Sequence, residues 1–299
     1  MKINQKIFFQ LGTTIIFFGL IGILINNLTI NLIRTGLGFN FSWLFKPASF
    51  ALAEHPLPYT SSDSYAWALF IGWLNSLKVI VSSLLLATLL GILVGFARTG
   101  KNSLLGLFSA GYITIIRQTP LLLQLMFWYF VGFLGLKDNV LIQIKDIFII
   151  SNQGIELSGF NLSSEFSALL LGLSIFASAY IAEVIRGGIL SVPRGQWEAY
   201  RSLGLSERKG IISIIIPQAL PAIIPGLTSQ YLNLAKNSTL AIAVGYSDIY
   251  AINDTIINQT GRAIECFLIL LTSFLLLNLL ISNSMEIINR IIINSRKHN

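Results

Sequence analysis

Apolar runs of about 18 residues or more recur along this chain, far more than the core of one soluble domain can absorb. Lipid is therefore the solvent for much of the sequence. Composition agrees, since 54% of the 299 residues are hydrophobic and only 11% are charged, against roughly 25% charged in soluble domains. The mean hydropathy is +0.73. The expected fold class is all-α, a polytopic membrane bundle of about six spans at roughly 7–29, 69–97, 110–134, 166–187, 211–234 and 264–289.

The first run follows Lys2 and Lys6, which raises a signal peptide as a rival reading. A signal peptide has a shorter apolar region and ends in small residues at a cleavage site. This run ends in "LINNLTINL" and reads as a retained helix. Lys2 and Lys6, then Arg98 and Lys101, then the 194–209 stretch, then Arg290, Arg296 and Lys297 fall on alternate sides of successive spans. Basic loops mark the cytoplasmic side, so both termini, the 98–103 turn and the 194–209 stretch are expected there. The other side receives 37–67, with Trp43 and Trp67 as interfacial anchors, then 135–165, then a third loop through "YSDIYAINDTIINQTGRA". Two units follow: an N-terminal helix with its outer loop over 1–67, and the main bundle over 68–299.

Several function classes fall away. The net charge of +7 is explained by basic cytoplasmic loops, and no nucleic-acid partner is expected. Cys266 is the single cysteine, and the two histidines, His55 and His298, lie in a loop and at the C-terminus. Neither a catalytic constellation nor a metal site is expected from that set. "GFARTGKN" at 95–102 fits the first part of a phosphate-binding loop, yet Asn102 stands where Ser or Thr should ligate magnesium. A membrane span rather than a strand precedes it, so it reads as a basic turn. Gly91 and Gly95 form a small-xxx-small pair suited to close helix packing.

Charge is concentrated instead in "GQWEAYRSLGLSERKGIISIIIPQALP", residues 195–221. Arg194, Glu198, Arg201, Glu207, Arg208 and Lys209 cannot lie at depth, where each ionised side chain costs about 2.5–3.5 kcal/mol. The segment is nevertheless patterned as a short helix, with Ser191 as a cap, Pro193 in the first turn and Gly204 as a left-handed stop. Ser206 can cap the next helix, with Glu207 in its first turn. Trp197, Ala199, Tyr200 and Leu203 give an apolar side, leaving Arg194, Glu198 and Arg201 for a partner or for the lipid surface.

The spacing resembles the cytoplasmic loop of bacterial ABC importer permeases: Glu-Ala-Ala, three residues, Gly, nine residues, then Ile-x-Leu-Pro. Here Glu198-Ala199-Tyr200 precedes Gly204, with Ile214, Ile216 and Pro217 at the matching distances. Tyr200 replaces the second Ala and Ile216 the Leu. "RQTPLLLQLMFWYF" (117–130), "AYIAEVIRGGILSVPRGQWEAYRSLGLS" (179–206) and "LAKNSTLAIAVG" (234–245) resemble further signatures of the polar amino acid permeases, with Gln118 in place of the usual Gly. The first helix and 45–79 are similar to the general L-amino acid permease branch, though the chain is shorter than many there.

The resemblance implies a type I ABC importer permease fold over 68–299, with a coupling helix at about 193–204 that docks on a separate ATPase subunit. Glu198, Ala199, Tyr200 and Gly204 would carry that coupling. ATP would be bound by the partner, this chain carrying no cofactor of its own and not being an enzyme. The implied partners are the ATPase, a second permease subunit (identical or homologous), an extracytoplasmic amino-acid-binding protein, the amino acid and membrane lipid. The implied location is the bacterial inner membrane.

An amino acid crossing mid-membrane needs polar partners and exposed helix ends. Pro217, Pro221 and Pro225 can bend the fifth span, and the polar run Lys236-Asn237-Ser238-Thr239 can end it beside a cavity. Gln124, Tyr180, Glu183, Asn237, Ser238 and Thr239 are the candidate pathway residues. Glu183 lies three residues before Arg186, as an ion pair or as part of a gate. Lys78 reads as snorkelling to the outer interface, and Arg117 as near the inner end of its span. A stand-alone secondary transporter or channel for small polar solutes is the alternative; it calls for inverted repeats and intramembrane carboxylates, of which Glu183 is the one strong candidate.

Overall fold

A computed structural model describes residues 2–34, 36, 38–100, 103–136, 140–144 and 147–297. Lys101, Asn102 and His298 lie outside the described residues, as do the side chains of Lys2, Arg296 and Lys297. Among the described residues, five helical stretches are long and apolar enough to cross a bilayer: Lys6–Arg34, Tyr65–Thr99, Ser164–Leu190, Glu207–Val244 and Ala263–Ile292. The helices are α1 (Lys2–Arg34), α2 (Tyr65–Thr99), α3 (Ser103–Gln118), α4 (Leu121–Met126), α5 (Ser164–Leu190), α6 (Arg194–Ser202), α7 (Glu207–Gly210), α8 (Ile216–Asn237), α9 (Ile249–Thr260) and α10 (Ala263–Lys297).

The expected third span, 110–134, is not a straight helix. It is a pair, Ser103–Gln118 and Leu121–Leu136, bent by 103°. Pro120 sits at the break with φ −56° and ψ 134°; its missing N–H and the steric restriction on Thr119 end α3 there. Gln124 repairs the damage, its Nε2 donating to the carbonyls of Ile116 and Thr119 at 3.0 Å each. The fifth span behaves differently. The helical path runs on through Pro221 and Pro225, and a π-helical turn over Ile211–Ile215 precedes Pro217. Such a turn rearranges the hydrogen bonds locally where a donor is lost.

The fold is mostly helical, and residues read from sequence as loops turn out to hold structure. Within 135–165, β1 (Val140–Ile144), β2 (Phe148–Ser151), β3 (Gly154–Leu157) and β4 (Phe160–Ser163) form an antiparallel meander in the order β1-β2-β3-β4. Each strand is too short to cross a membrane but long enough to pair. The last runs straight into α5, whose N-cap Ser163 accepts a hydrogen bond from Phe166 N at 3.1 Å. The third expected loop is α9, capped by Asp248, which accepts from Ala251 N at 2.8 Å, and stopped by Gly261 at φ +69°. Trp43 is no interfacial anchor; it is 3% exposed and packs edge-on against Tyr65. With Ala48, Ile249, Ile252 and Cys266 it fastens the 38–64 segment to the main bundle.

The centre of the bundle is the pair α2 and α5, which run parallel. Gly91 and Gly95 make their approach possible. A Cβ on Gly91 would strike the Ile181 side chain and come within 3.1 Å of Ser178 O; one on Gly95 would meet Ala182 O at 3.1 Å. α8 and α10 complete the packing around a core that includes Ile80, Ile181, Ile185, Ile215, Leu234 and Leu277. The long apolar stretch of α1 buries nothing against the rest of the chain. Its surface is left to lipid or to another subunit.

Candidate coupling helix and translocation cavities

At one end of α5 the chain turns sharply into α6. Ser191 does not cap α6; its Oγ donates back to Gly188 O at 2.7 Å and closes α5. Pro193 holds the N-cap position of α6 without a side-chain hydrogen bond. Nor does Ser206, at the N-cap of α7, use its hydroxyl as a cap. Gly204 stops the helix at φ +69°, in the left-handed region open to glycine.

Tyr200 anchors α6. It is fully buried, its Oη donates to Glu207 Oε2 at 2.8 Å, and its ring lies on Gly210 so closely that any Cβ there would collide with it. Arg201 Nε donates to the other oxygen of Glu207 at 3.1 Å. Gln218 Nε2 donates to Gln196 Oε1 at 3.0 Å and ties α6 to α8. The opposite face, Arg194, Glu198 and Ala199, is exposed. Leu203, expected on the apolar side, is 75% exposed instead, because the turn at Gly204 swings it outward. The result is a short rigid helix, fixed at its back and free at its front.

Two cavities lie along α5, and Tyr180 lines both. One, of about 290 Å³, lies between α5 and α8 and is lined by Phe176, Tyr180, Gln230, Asn233, Lys236 and Asn237 among others. The other, of about 430 Å³, is lined by Arg98, Thr114, Arg117, Gln118, Tyr180 and Glu183. Arg117 stands over the Tyr180 ring, 5.0 Å from its centre, within cation–π range. Glu183 accepts two hydrogen bonds from Arg186, at 2.8 and 3.1 Å. Polar groups are thus gathered on both sides of Tyr180, at the α5–α8 seam and where α2, α3 and α5 meet.

The chain thus combines a short amphipathic helix after a membrane-spanning helix with polar cavities farther along α5. A family model described as "Binding-protein-dependent transport system inner membrane component" matches residues 87–294. The chain belongs to that family. Among its relatives is the general L-amino acid transport system permease protein AapQ of Rhizobium johnstonii, 32% identical over 95% of this chain and 91% of that protein. The glutamate/aspartate import permease protein GltJ of Escherichia coli K12 is 28% identical over 80% of this chain and 92% of its own length. The crystal structure of an amino acid ABC transporter with histidines superposes with a TM-score of 0.60 at 28% identity, covering 76% of this chain and 94% of that one. The fold is also that of the methionine ABC transporter MetNI, with a TM-score of 0.58.

This transport component is therefore a multi-pass membrane protein with the helical fold of ABC importer permeases. Of the candidate pathway residues, Tyr180, Glu183 and Asn237 line the cavities. Gln124 does not; its amide nitrogen is committed to the α3–α4 break. Ser238 is buried, with its Oγ on Ala235 O at 2.8 Å, and Thr239 Oγ1 bonds Lys236 O at 2.9 Å. Both close the end of α8 rather than face the cavity. Gln230 and Asn233 were missed. They lie seven and four residues before Asn237 on the same helix face, the spacing that could have found them. Lys78 does not snorkel freely; it pairs with Glu54 at 3.5 Å and lies 4.2 Å from the centre of the Phe166 ring.

Proposed function

We propose that this chain is the membrane-spanning subunit of an ATP-driven amino acid importer, in which α6 is the coupling helix for a separate ATPase. The observation that carries the reading is the fixing of α6 through Tyr200 and Glu207, with Glu198 and Ala199 left free on the opposite face. A helix that merely lay on lipid would turn an apolar side outward, whereas here the aromatic side is turned in. The family match and the amino acid transport named for its relatives support the substrate class.

On this reading the α6 end, the 98–103 turn and both termini are cytoplasmic, and the sheet end is extracytoplasmic. The chain works with an ATPase, a second permease subunit and a binding protein that delivers the amino acid. Its zwitterion passes the cavity lined by Tyr180, Asn233, Lys236 and Asn237, which offers donors and a cation to a carboxylate. Arg117 over Tyr180 separates that cavity from the inner one. No observation favours a stand-alone transporter.

Glu198→Lys tests the reading, since it reverses a charge in water without touching the bundle. Insertion and expression are expected to persist while uptake collapses and ATP hydrolysis stops responding to the loaded binding protein. Near-normal uptake would refute a coupling role for α6.

A further inference from the structure

A third cavity, of about 430 Å³, lies at the sheet end, remote from both others. It is framed by the 53–56 segment, the outer part of α2 and strands β3 and β4. Ser163, on its wall, and Leu173, on the α5–α8 cavity, are ten residues apart along the chain, about 15 Å of helix. An apolar cluster of Val79, Leu121, Leu125, Phe166 and Leu169 lies between them. The outer cavity is thus a compartment of its own.

Its chemistry is specific. Glu54 and Lys78 face each other at 3.5 Å with side chains 20% and 41% exposed, so the pair is within reach of solvent. Ser163 Oγ donates to Glu54 and orients it. Burial pushes the Glu54 carboxyl above its ordinary range, against the opposing pull of Lys78; the lysine alone does not repay the desolvation of that carboxylate. Asn75, 1% exposed, spends its Nδ2 on the carbonyls of Glu54 and Ser247 and leaves Oδ1 without a partner. Glu156 and Asn161 complete the polar wall.

We propose that this cavity is an entry site for the zwitterion of an α-amino acid, held outside the apolar cluster before passage; the inference rests on the amino acid importer reading. A zwitterion carries its two charges side by side on one carbon. It can therefore insert at the Glu54–Lys78 pair and exchange one contact for two charge-assisted ones, carboxylate to Lys78 and ammonium to Glu54. Glu156, on the same wall, offers a further acceptor on the ammonium side. A simple anion or cation would satisfy one partner and strand the other.

The test places a reporter in the cavity wall. Asn161→Cys is made in the full permease–ATPase complex in lipid nanodiscs, and its reaction with a membrane-impermeant maleimide is timed. Cys266 is fully buried and does not compete. Without ATP or binding protein, saturating transported amino acid is expected to slow labelling several-fold. Its N-acetylated amide, which lacks both charges, should give no protection, and Lys78→Met should abolish it. Should Lys78→Met fail to assemble, Glu156→Gln leaves the ion pair in place and is expected to weaken protection several-fold. An absence of protection in a complex that still imports amino acids overturns the entry site and leaves the transport reading standing. Protection only after the binding protein is added assigns the cavity to docking, and overturns it equally. A complex that imports no amino acid overturns both.

Discussion

Tyr200 reaches across the Gly204 turn to Glu207, its Oη donating to Oε2 at 2.8 Å. The contact joins α6 to the start of the next span, so on the proposed coupling role a push on α6 would be passed on through a side chain and not only through the backbone. In Tyr200→Phe the ring stays packed and the hydroxyl is lost, at a cost of about 1 kcal/mol for one hydrogen bond. Expression and α6 helicity are expected to be kept, with binding-protein-stimulated ATP hydrolysis falling several-fold. Gly210→Val should be far more severe, because any side chain there displaces the Tyr200 ring. Parallel uptake and ATPase assays on the two variants check the order; equal wild-type activity in both would show that α6 is not aimed by this contact.

The α2–α5 seam gives a prediction about stability. Gly91→Ala puts a methyl group into Ile181 and against Ser178 O, where the two helices are closest. Overpacking of this kind costs about 1–3 kcal/mol. Gly111→Ala on α3 meets nothing within 4 Å, and is expected to be neutral or slightly stabilising, since Ala outranks Gly within a helix by about 0.5–1 kcal/mol. Thermal unfolding of the two variants in one detergent separates them, and equal shifts would contradict the close packing.

Long apolar runs, the glycine pair and the Glu198–Gly204 spacing made the bundle and α6 legible, because each is a local pattern with a local cause. What escaped the sequence depends on contacts made at a distance. Trp43 looks like an interface residue until the 38–64 segment is seen folded onto α2 and α9. The sheet's short strands pair only with one another, so no single strand announces itself. Gln124 was legible as a polar pathway candidate, but which groups it bonds depends on the bend at Pro120. The Tyr200–Gly210 contact pairs residues of opposite size, and nothing in the sequence pattern marks them as neighbours.

Asn237 and Gln124 should now separate as mutants. Asn237→Leu removes a polar group from the α5–α8 cavity and leaves helix hydrogen bonds untouched. Assembly is expected to persist while uptake weakens or preference among competing amino acids changes. Gln124→Leu removes the donor to the part-buried carbonyls of Ile116 and Thr119 at the bend, a loss of about 0.5–1.5 kcal/mol per hydrogen bond. Its effect should appear as lost stability and lower yield, with the competition profile of surviving protein unchanged. An altered profile in Gln124→Leu would return that residue to the pathway.

The last prediction concerns pH. Asp248, the N-cap of α9, is 1% exposed, and burial pushes its carboxyl up to about 7 from 3.8, with the backbone N–H groups of Ala251 and Tyr250 only partly opposing the shift. A folded-state value above the unfolded one means that the folded protein holds the proton more tightly. Its stabilising effect is complete below about 3.8, declines as pH rises and is gone above about 7. Asn is as good an N-cap as Asp and carries no titrating proton. The thermal midpoint of the wild type, measured relative to Asp248→Asn, should therefore fall between about pH 4 and 7 and then level off. Glu54 and other titrating groups are common to both proteins and cancel in the difference. Two midpoint curves that stay parallel across that range would show that Asp248 is ionised throughout in the folded state.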